Sequence, residues 1–346
     1  WKPFVPSCLR ARKNLDNLTH SLAGAVLGQM GLKTKTGLGM ATLIIAANIP
    51  DIDAVATMLD GVQHLAIRRG ITHGPIAMLV LPLLLTGIMI GFDRWQGKRG
   101  KRPADRLAVH KGWLLALAYI GCLSHPALDW LNSYGIRLLE PFSSQWFYGD
   151  SIFIIDIWIW AAFIAGVWIS RRREKKGGAN WQRPAWISFA AVCAYIFANG
   201  LITGKAEAQA TVGVQKMLHE KPDLVVANPV PLAFWRRDVL WRGGYDETGQ
   251  APIGHGTFDL TGSELLLSPD IRLDNMDTVQ LKMAVMKNPE FKAFLFWSRM
   301  PFALLQDDQE KEQVILKDQR FDNPLLGDRF TVKAIVRKDR LEQAVP

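Results

Sequence analysis

His125 and Asp129 stand four residues apart in 121-GCLSHPALDWLN-132, so a helix presents an imidazole and a carboxylate on one face. The run leading into them, from Gly112 to Leu128, is apolar and uncharged. An ionisable group inside a membrane helix costs ~2.5–3.5 kcal/mol on insertion scales, so the pair requires a reason. Similar groups recur elsewhere in apolar surroundings. Thr19 and His20 open one short run, Asn48, Asp51 and Asp53 lie in 47-ANIPDID-53, His73 follows Arg68 and Arg69 in 68-RRGITHG-74, and Asp156 stands near the start of another run.

Three imidazoles and up to four carboxylates match the nitrogen and oxygen donor set of Zn²⁺, Mn²⁺ or a metal pair, with neighbouring carboxylates to orient the histidines. A metal so held lowers the pKa of a bound water or clamps a phosphoryl oxygen, and a carboxylate outside its coordination sphere suits general base work. Each residue also has an ordinary reading. A single intramembrane His packs and hydrogen-bonds; Asp51, beside Pro50, suits a helix N-terminus; Asp156 pairs with a neighbouring span. Arg68 and Arg69 bind an anionic group or anchor at an interface. His125 with Asp129 is the sharpest case. His64, His110, His219 and His255 read as surface or loop residues, and Cys8, Cys122 and Cys193 share no metal or redox spacing.

Positioning these groups falls to apolar helices. Four runs approach the ~20 residues of a membrane span: 74–92, Gly112 to about Leu131, 151–170 and 184–204. Two shorter, glycine-rich runs, 17–32 and 36–50, precede them and suit close packing. Pro82 predicts a kink without a break. The loop 93–111 holds seven basic residues against two acidic, and 171–183 six against one, so both are expected in the cytoplasm. The loop 132–151 carries only Arg137, Glu140 and Asp150 and is expected outside, as is everything after Gly204. On this topology the unusual polar groups converge at one depth, near the extracytoplasmic face.

The chain of 346 residues has mean hydropathy +0.06, an average over unlike parts. Up to Gly204 there are 22 basic and 11 acidic residues, and beyond it 19 and 21, so the net charge of +9 resides in the apolar half. That pattern indicates membrane topology, and no nucleic-acid partner is expected. From Lys205 a helix over about 205–219 is expected, then a small antiparallel sheet domain with strands near 256–260, 291–297, 313–317 and 330–336. The stretch 1–14 is basic with no apolar core and does not read as a signal peptide, so the biological start is expected at Leu15.

The segments 16-DNLTHSLAGAVLG-28, 48-NIPDID-53, 69-RGITHG-74, 125-HPALDWLNSYGIRLLEPFS-143 and 153-FIID-156, in this order, resemble the YdjM-like family of bacterial inner-membrane proteins, described as metal-dependent hydrolases. The resemblance covers roughly residues 15 to 170, and the chain after about 205 resembles a soluble tail that some members carry. The family is distantly similar to the zinc-dependent phospholipase C and single-strand nuclease superfamily, whose all-helical metal site uses a His-x-x-x-Asp pair. The resemblance implies that His125 and Asp129 are that pair, with Asp51 or Asp53 and His73 as further ligands.

The expectation is therefore a mainly α protein: a polytopic transmembrane helical bundle over 15–204, then a small β-rich (α+β) extracytoplasmic domain over 205–346, multi-pass in the cell inner membrane. The function expected is that of a metal-dependent hydrolase acting on a lipid-linked phosphoester or lipid head group near the outer leaflet. His20, Asp51, Asp53, His73, His125, Asp129 and Asp156 are the expected ligands of a divalent metal, zinc or manganese. Asp53 and Asp129 are the candidate bases, Arg69 or Arg68 the anion contact, and Glu140 a supporting carboxylate. The alternative is a membrane scaffold or regulator with a structural metal and a partner-binding tail. An ion or proton pathway is less favoured, because it spreads polar groups over several depths.

Overall fold

The computed structural model describes residues 16–58, 62–262, 264–308, 311–322 and 330–337; the expected start at Leu15 lies outside them. In chain order the elements are α1 (Asp16–Gln29), α2 (Gly39–Ala46), a 3-10 segment (Ile49–Met58), α3 (His64–Ile67), a 3-10 turn (Ile71–His73), α4 (Pro75–Lys98), α5 (Lys111–Trp130), α6 (Ile157–Lys175), α7 (Arg183–Leu218), β1 (Leu224–Pro229), β2 (Arg236–Arg242), β3 (Pro252–Asp259), β4 (Glu264–Leu267), β5 (Arg272–Leu273), α8 (Val279–Lys287), α9 (Pro289–Trp297), β6 (Pro301–Asp308), β7 (Lys311–Asp318) and β8 (Thr331–Arg337). They form two compact units, one built from the chain up to Asp53 and Arg69–Asn199, the other from Ala54–Arg68 and the chain from Gly200 on.

The first unit is helical, and glycines set how closely its helices approach. A Cβ on Gly24 of α1 would lie 2.8 Å from the Leu43 carbonyl oxygen, and one on Gly121 of α5 2.7 Å from Ala46 Cβ. Only glycine at both positions lets α1 and α5 close on the last turn of α2, where Leu43, Ala46 and Ala47 are fully buried. Met78, Leu85 and Met89 of α4 pack on Leu114, Ala118 and Cys122 of α5, while Ala23 and Val26 of α1 meet Ile159, Phe163, Ala185 and Val192 of α6 and α7. The basic segments meet one another. Lys33 is 2.5 Å from Glu174, and Thr36 accepts from the His110 amide at 2.8 Å, so the turn after α1 touches both loops read as cytoplasmic.

Among the described residues, Pro75–Lys98 and Arg183–Leu218 are long and apolar enough to cross a membrane; α2 with the following 3-10 segment makes a third candidate, bent by 40°. The α4 helix runs through Pro82 unbroken. The expected spans at 112–131 and 151–170 are helical only in part or carry polar groups. The first holds the His–Asp pair itself. The second starts only at Ile157, because the Asp156 carboxylate caps it, and the apolar stretch left before Arg171 falls short of the ~17-residue lower bound.

The second unit is rich in sheet. Strands β1-β2-β3-β4 run antiparallel in order with β5 on β3, and β6-β7-β8 form a separate antiparallel meander. The expected helix at 205–219 is the continuation of α7, whose Ile202, Ala206 and Ala210 bury against Ala227, Val239 and Phe258. The expected strands at 256–260, 313–317 and 330–336 fall within β3, β7 and β8, give or take a residue. The fourth, 291–297, is instead helix α9. Asn288 caps it by accepting from the Glu290 amide, Pro289 takes the first turn, and Phe291, Phe294 and Trp297 recur on one buried face.

Candidate metal centre

Four segments of the first unit bring the unusual polar groups together. Gly24 lies one turn after His20 on α1, and Gly121 one turn before His125 on α5. The close approach these glycines permit stacks the two imidazoles with ring centroids 3.7 Å apart and planes inclined at 21°. The end of α2 and the 3-10 segment supply the Ala47 carbonyl, Asp51 and Asp53. The turn before α4 supplies Arg69, Thr72 and His73. Asp129 closes the set one turn beyond His125.

The contacts are short. His73 Nε2 lies 3.1 Å from His125 Nε2. Asp129 Oδ2 is 3.4 Å from His125 Nε2 and 3.5 Å from His73 Nε2, while its Oδ1 is 3.3 Å from His20 Nε2. Asp51 Oδ1 is 3.8 Å from His125 Nε2. Two groups of three, His20–Asp51–His125 and His73–His125–Asp129, have the spacing to hold a metal ion. Both depend on His125. Its Nδ1 is 2.7 Å from the Ala47 carbonyl, which can only accept, so Nδ1 donates and, in the neutral ring, the lone pair is on Nε2. One available nitrogen serves one ion, so the two groups describe a single centre.

Burial makes this arrangement costly for the bare protein. His20, His73, His125 and Asp129 are each 2% exposed or less. Neither ring nitrogen of His20, nor Asp129 Oδ2, makes a hydrogen bond among the described residues. An unmet buried polar atom costs about 1–3 kcal/mol, and a shared cation would satisfy Asp129 Oδ2 and one of the two His20 nitrogens.

The other expected site residues have different partners. Asp53 Oδ2 accepts from the Arg69 amide at 2.7 Å and from the Thr72 hydroxyl at 2.9 Å, and stands 3.5 Å from His73 Nδ1. It sits behind His73, outside both groups. Arg69, itself 2% exposed with φ 53°, puts its guanidinium 3.0 Å from Asp129 Oδ1 and 2.9 Å from Asn132 Oδ1, over the Tyr134 ring. It braces a carboxylate inside the cluster, where an anion contact had been expected of it. Arg68 falls in the second unit. Asp156 lies outside the cluster: its Oδ1 accepts from the Trp158 and Ile159 amides, and its Oδ2 from the Tyr195 hydroxyl at 2.9 Å. Glu140 lies 3.3 Å from Arg137. His110 caps α5, accepting from the Trp113 amide at 3.2 Å.

Sequence reasoning missed Thr72, Asn132, Tyr134 and the Ala47 carbonyl. Asn132 carried a signal, since it follows Asp129 at helical spacing. Thr72 carried only its adjacency to His73, and a backbone carbonyl carries none.

Neither the curated proteins nor the solved structures contain a match to this chain. The model of the YdjM inner membrane protein family matches residues 15–206, more than half of the chain and every residue of the cluster. The chain belongs to the YdjM inner membrane protein family.

Proposed function

We propose that the protein is a multi-pass membrane hydrolase whose helical unit holds one divalent cation, zinc or manganese, and acts on a lipid-linked phosphoester or lipid head group near the outer leaflet. The supporting observation is the facing pair of Nε2 atoms, 3.1 Å apart with Asp129 beside both. His73, His125 and Asp129 are the core ligands, and His20 and Asp51 complete the set. Imidazole with carboxylate suits zinc or manganese, and the orphaned His20 and Asp129 atoms fit a cation of that kind. A cation bound there supplies the charge that acidifies a ligating water and polarises a phosphoryl oxygen. Asp51 stands at the edge of the set, 3.8 Å from His125 Nε2, while Asp53 and Arg69 hold His73 and Asp129 in place.

The contacts among the basic segments support the membrane orientation. The turn after α1, the loop before α5 and the last turn of α6 meet at one end of the helical unit, whereas His20 and Asp129 occupy the opposite ends of α1 and α5. A basic end in the cytoplasm leaves the centre towards the extracytoplasmic side, and the same loop-charge argument puts the chain after Gly204 outside.

A second reading is favoured by the burial of the ligands: a cation that is structural, in a scaffold whose C-terminal region binds a partner. Metal content of detergent-purified wild type and His125→Ala, alongside a phosphoester hydrolysis screen, separates the two. Near-stoichiometric metal with turnover, both lost in His125→Ala, supports the hydrolase. Bound metal with no turnover supports the scaffold, and a metal-free wild type removes both.

A further inference from the structure

We infer that Thr72 is a positioning residue that sets which nitrogen of His73 faces the cation; this rests on the metal reading above. The Thr72 hydroxyl oxygen lies 2.9 Å from Asp53 Oδ2 and 2.9 Å from His73 Nδ1. A hydroxyl has one proton to give and a carboxylate can only accept, so the proton points to Asp53 and a lone pair points to the ring. His73 Nδ1 must then donate, and the bare lone pair of the neutral ring is on Nε2. Asp53 is itself 3.5 Å from Nδ1, too far for a good hydrogen bond. Its charge therefore acts through the hydroxyl, in a carboxylate–hydroxyl–imidazole relay.

The tautomer matters because of what stands opposite. His125 Nε2 also carries a lone pair, fixed by the Ala47 carbonyl, and the two Nε2 atoms are 3.1 Å apart. In the other tautomer His73 Nε2–H would donate to His125 Nε2, closing the centre with an internal hydrogen bond that a metal must break. Thr72 selects against that closed form. It keeps two lone pairs facing each other, an arrangement that repels until a cation lies between them. Asp53 remains oriented for this by the Arg69 amide, independently of Thr72.

The test is Zn²⁺ affinity of the full chain in detergent, by chelator competition, for wild type, Thr72→Val, Thr72→Ala and Thr72→Ser. The absorption spectrum of the Co²⁺-substituted proteins is the second readout. Losing an outer partner of a ligating histidine weakens metal binding by about 10–100-fold. Thr72→Val and Thr72→Ala should show that loss and an altered Co²⁺ spectrum, and Thr72→Ser, which restores the hydroxyl, should recover both. Unfolding temperatures in excess chelator identify a variant that has simply misfolded; Thr72→Ala carries the comparison if Thr72→Val does. Wild-type affinity in Thr72→Ala, or no recovery in Thr72→Ser, overturns the inference while the metal reading stands. A wild type that binds no metal overturns that reading instead.

Discussion

Asp129 in the helical unit and Asp318 in the sheet-rich unit are both 1% exposed, yet their oxygens are employed differently. Asp318 accepts from the Ser298 hydroxyl at 2.5 Å, from the Arg299 and Arg320 amides at 3.0 and 2.9 Å, and from the Arg320 guanidinium at 2.9 and 2.8 Å. Arg320 in turn lies over the Trp297 and Phe321 rings. Burial alone pushes the Asp318 carboxyl up, but Arg320 and these donors outweigh it and hold it below the usual carboxylate range. Asp129 has Arg69 on one oxygen, and on the other only two imidazole nitrogens at 3.4 and 3.5 Å, with no hydrogen bond. Equal burial thus separates into a saturated carboxylate that fastens a fold and one with an unmet oxygen, where the cation is proposed to bind. Unmet bonding capacity, more than burial, marks the functional group.

The largest expected effect tests the saturated side. Asp318→Asn leaves Arg320 buried without its counter-charge, which should cost about 3–5 kcal/mol of stability in denaturant unfolding, with metal affinity unchanged. Because folding lowers the pKa of Asp318, its contribution is complete above the unfolded value of ~3.9 and disappears as pH falls through the lower folded value. Acid titration of the wild type should therefore show a loss of stability below about pH 4 that the variant lacks. If Asp318→Asn unfolds like the wild type, the contrast between the two carboxylates collapses.

Next in size is the response to metal. Zn²⁺ at a hundred times its dissociation constant should stabilise the wild type by about 2.7 kcal/mol. Thermal unfolding with and without chelator should show that gain retained in Asp318→Asn and absent in His125→Ala. Gly121→Ala comes third. The added methyl group meets Ala46 Cβ at 2.7 Å and the Leu43 carbonyl oxygen at 2.8 Å, so α5 must move off α2, at about 1–3 kcal/mol. Zn²⁺ competition should show weaker binding in the same variant, since His125 moves with α5. The smallest effect is His20→Leu, which removes two orphaned ring nitrogens from a buried site. Without metal its unfolding midpoint should stay within about 0.5 kcal/mol of wild type or rise, while metal affinity falls. A clear destabilisation of the metal-free protein would show that His20 belongs with Asp318 as a structural group.

Local pattern accounted for much of the fold. The i, i+4 spacing of His125 and Asp129 and the apolar runs around residues 74–92 and 184–204 were readable because helical periodicity and hydropathy are properties of short windows. The error at 291–297 has the same origin. FKAFLFW has strand-like composition, and the Asn288-Pro289 start that makes it a helix lies just outside the window. Strands β1 and β2, which pair as a hairpin, were missed because the prolines, tryptophans and turn residues of that stretch obscure the alternation of a strand. At the site, His20, Asp51, His73, His125 and Asp129 were visible as ionisable residues in apolar surroundings. Asp156 met the same criterion and proved to be a helix cap, a distinction that depends on a tyrosine 39 residues away.

By itself, the sequence determined which groups need compensation and which segments are apolar enough to leave water, since desolvation cost and hydrophobicity belong to the residues themselves. The tertiary structure alone decided which of those groups share a centre and which are already satisfied. It did so through backbone approach at Gly24 and Gly121, the carbonyl of Ala47 and the hydroxyl of Thr72, because hydrogen-bond saturation is a property of distances between residues remote in the chain.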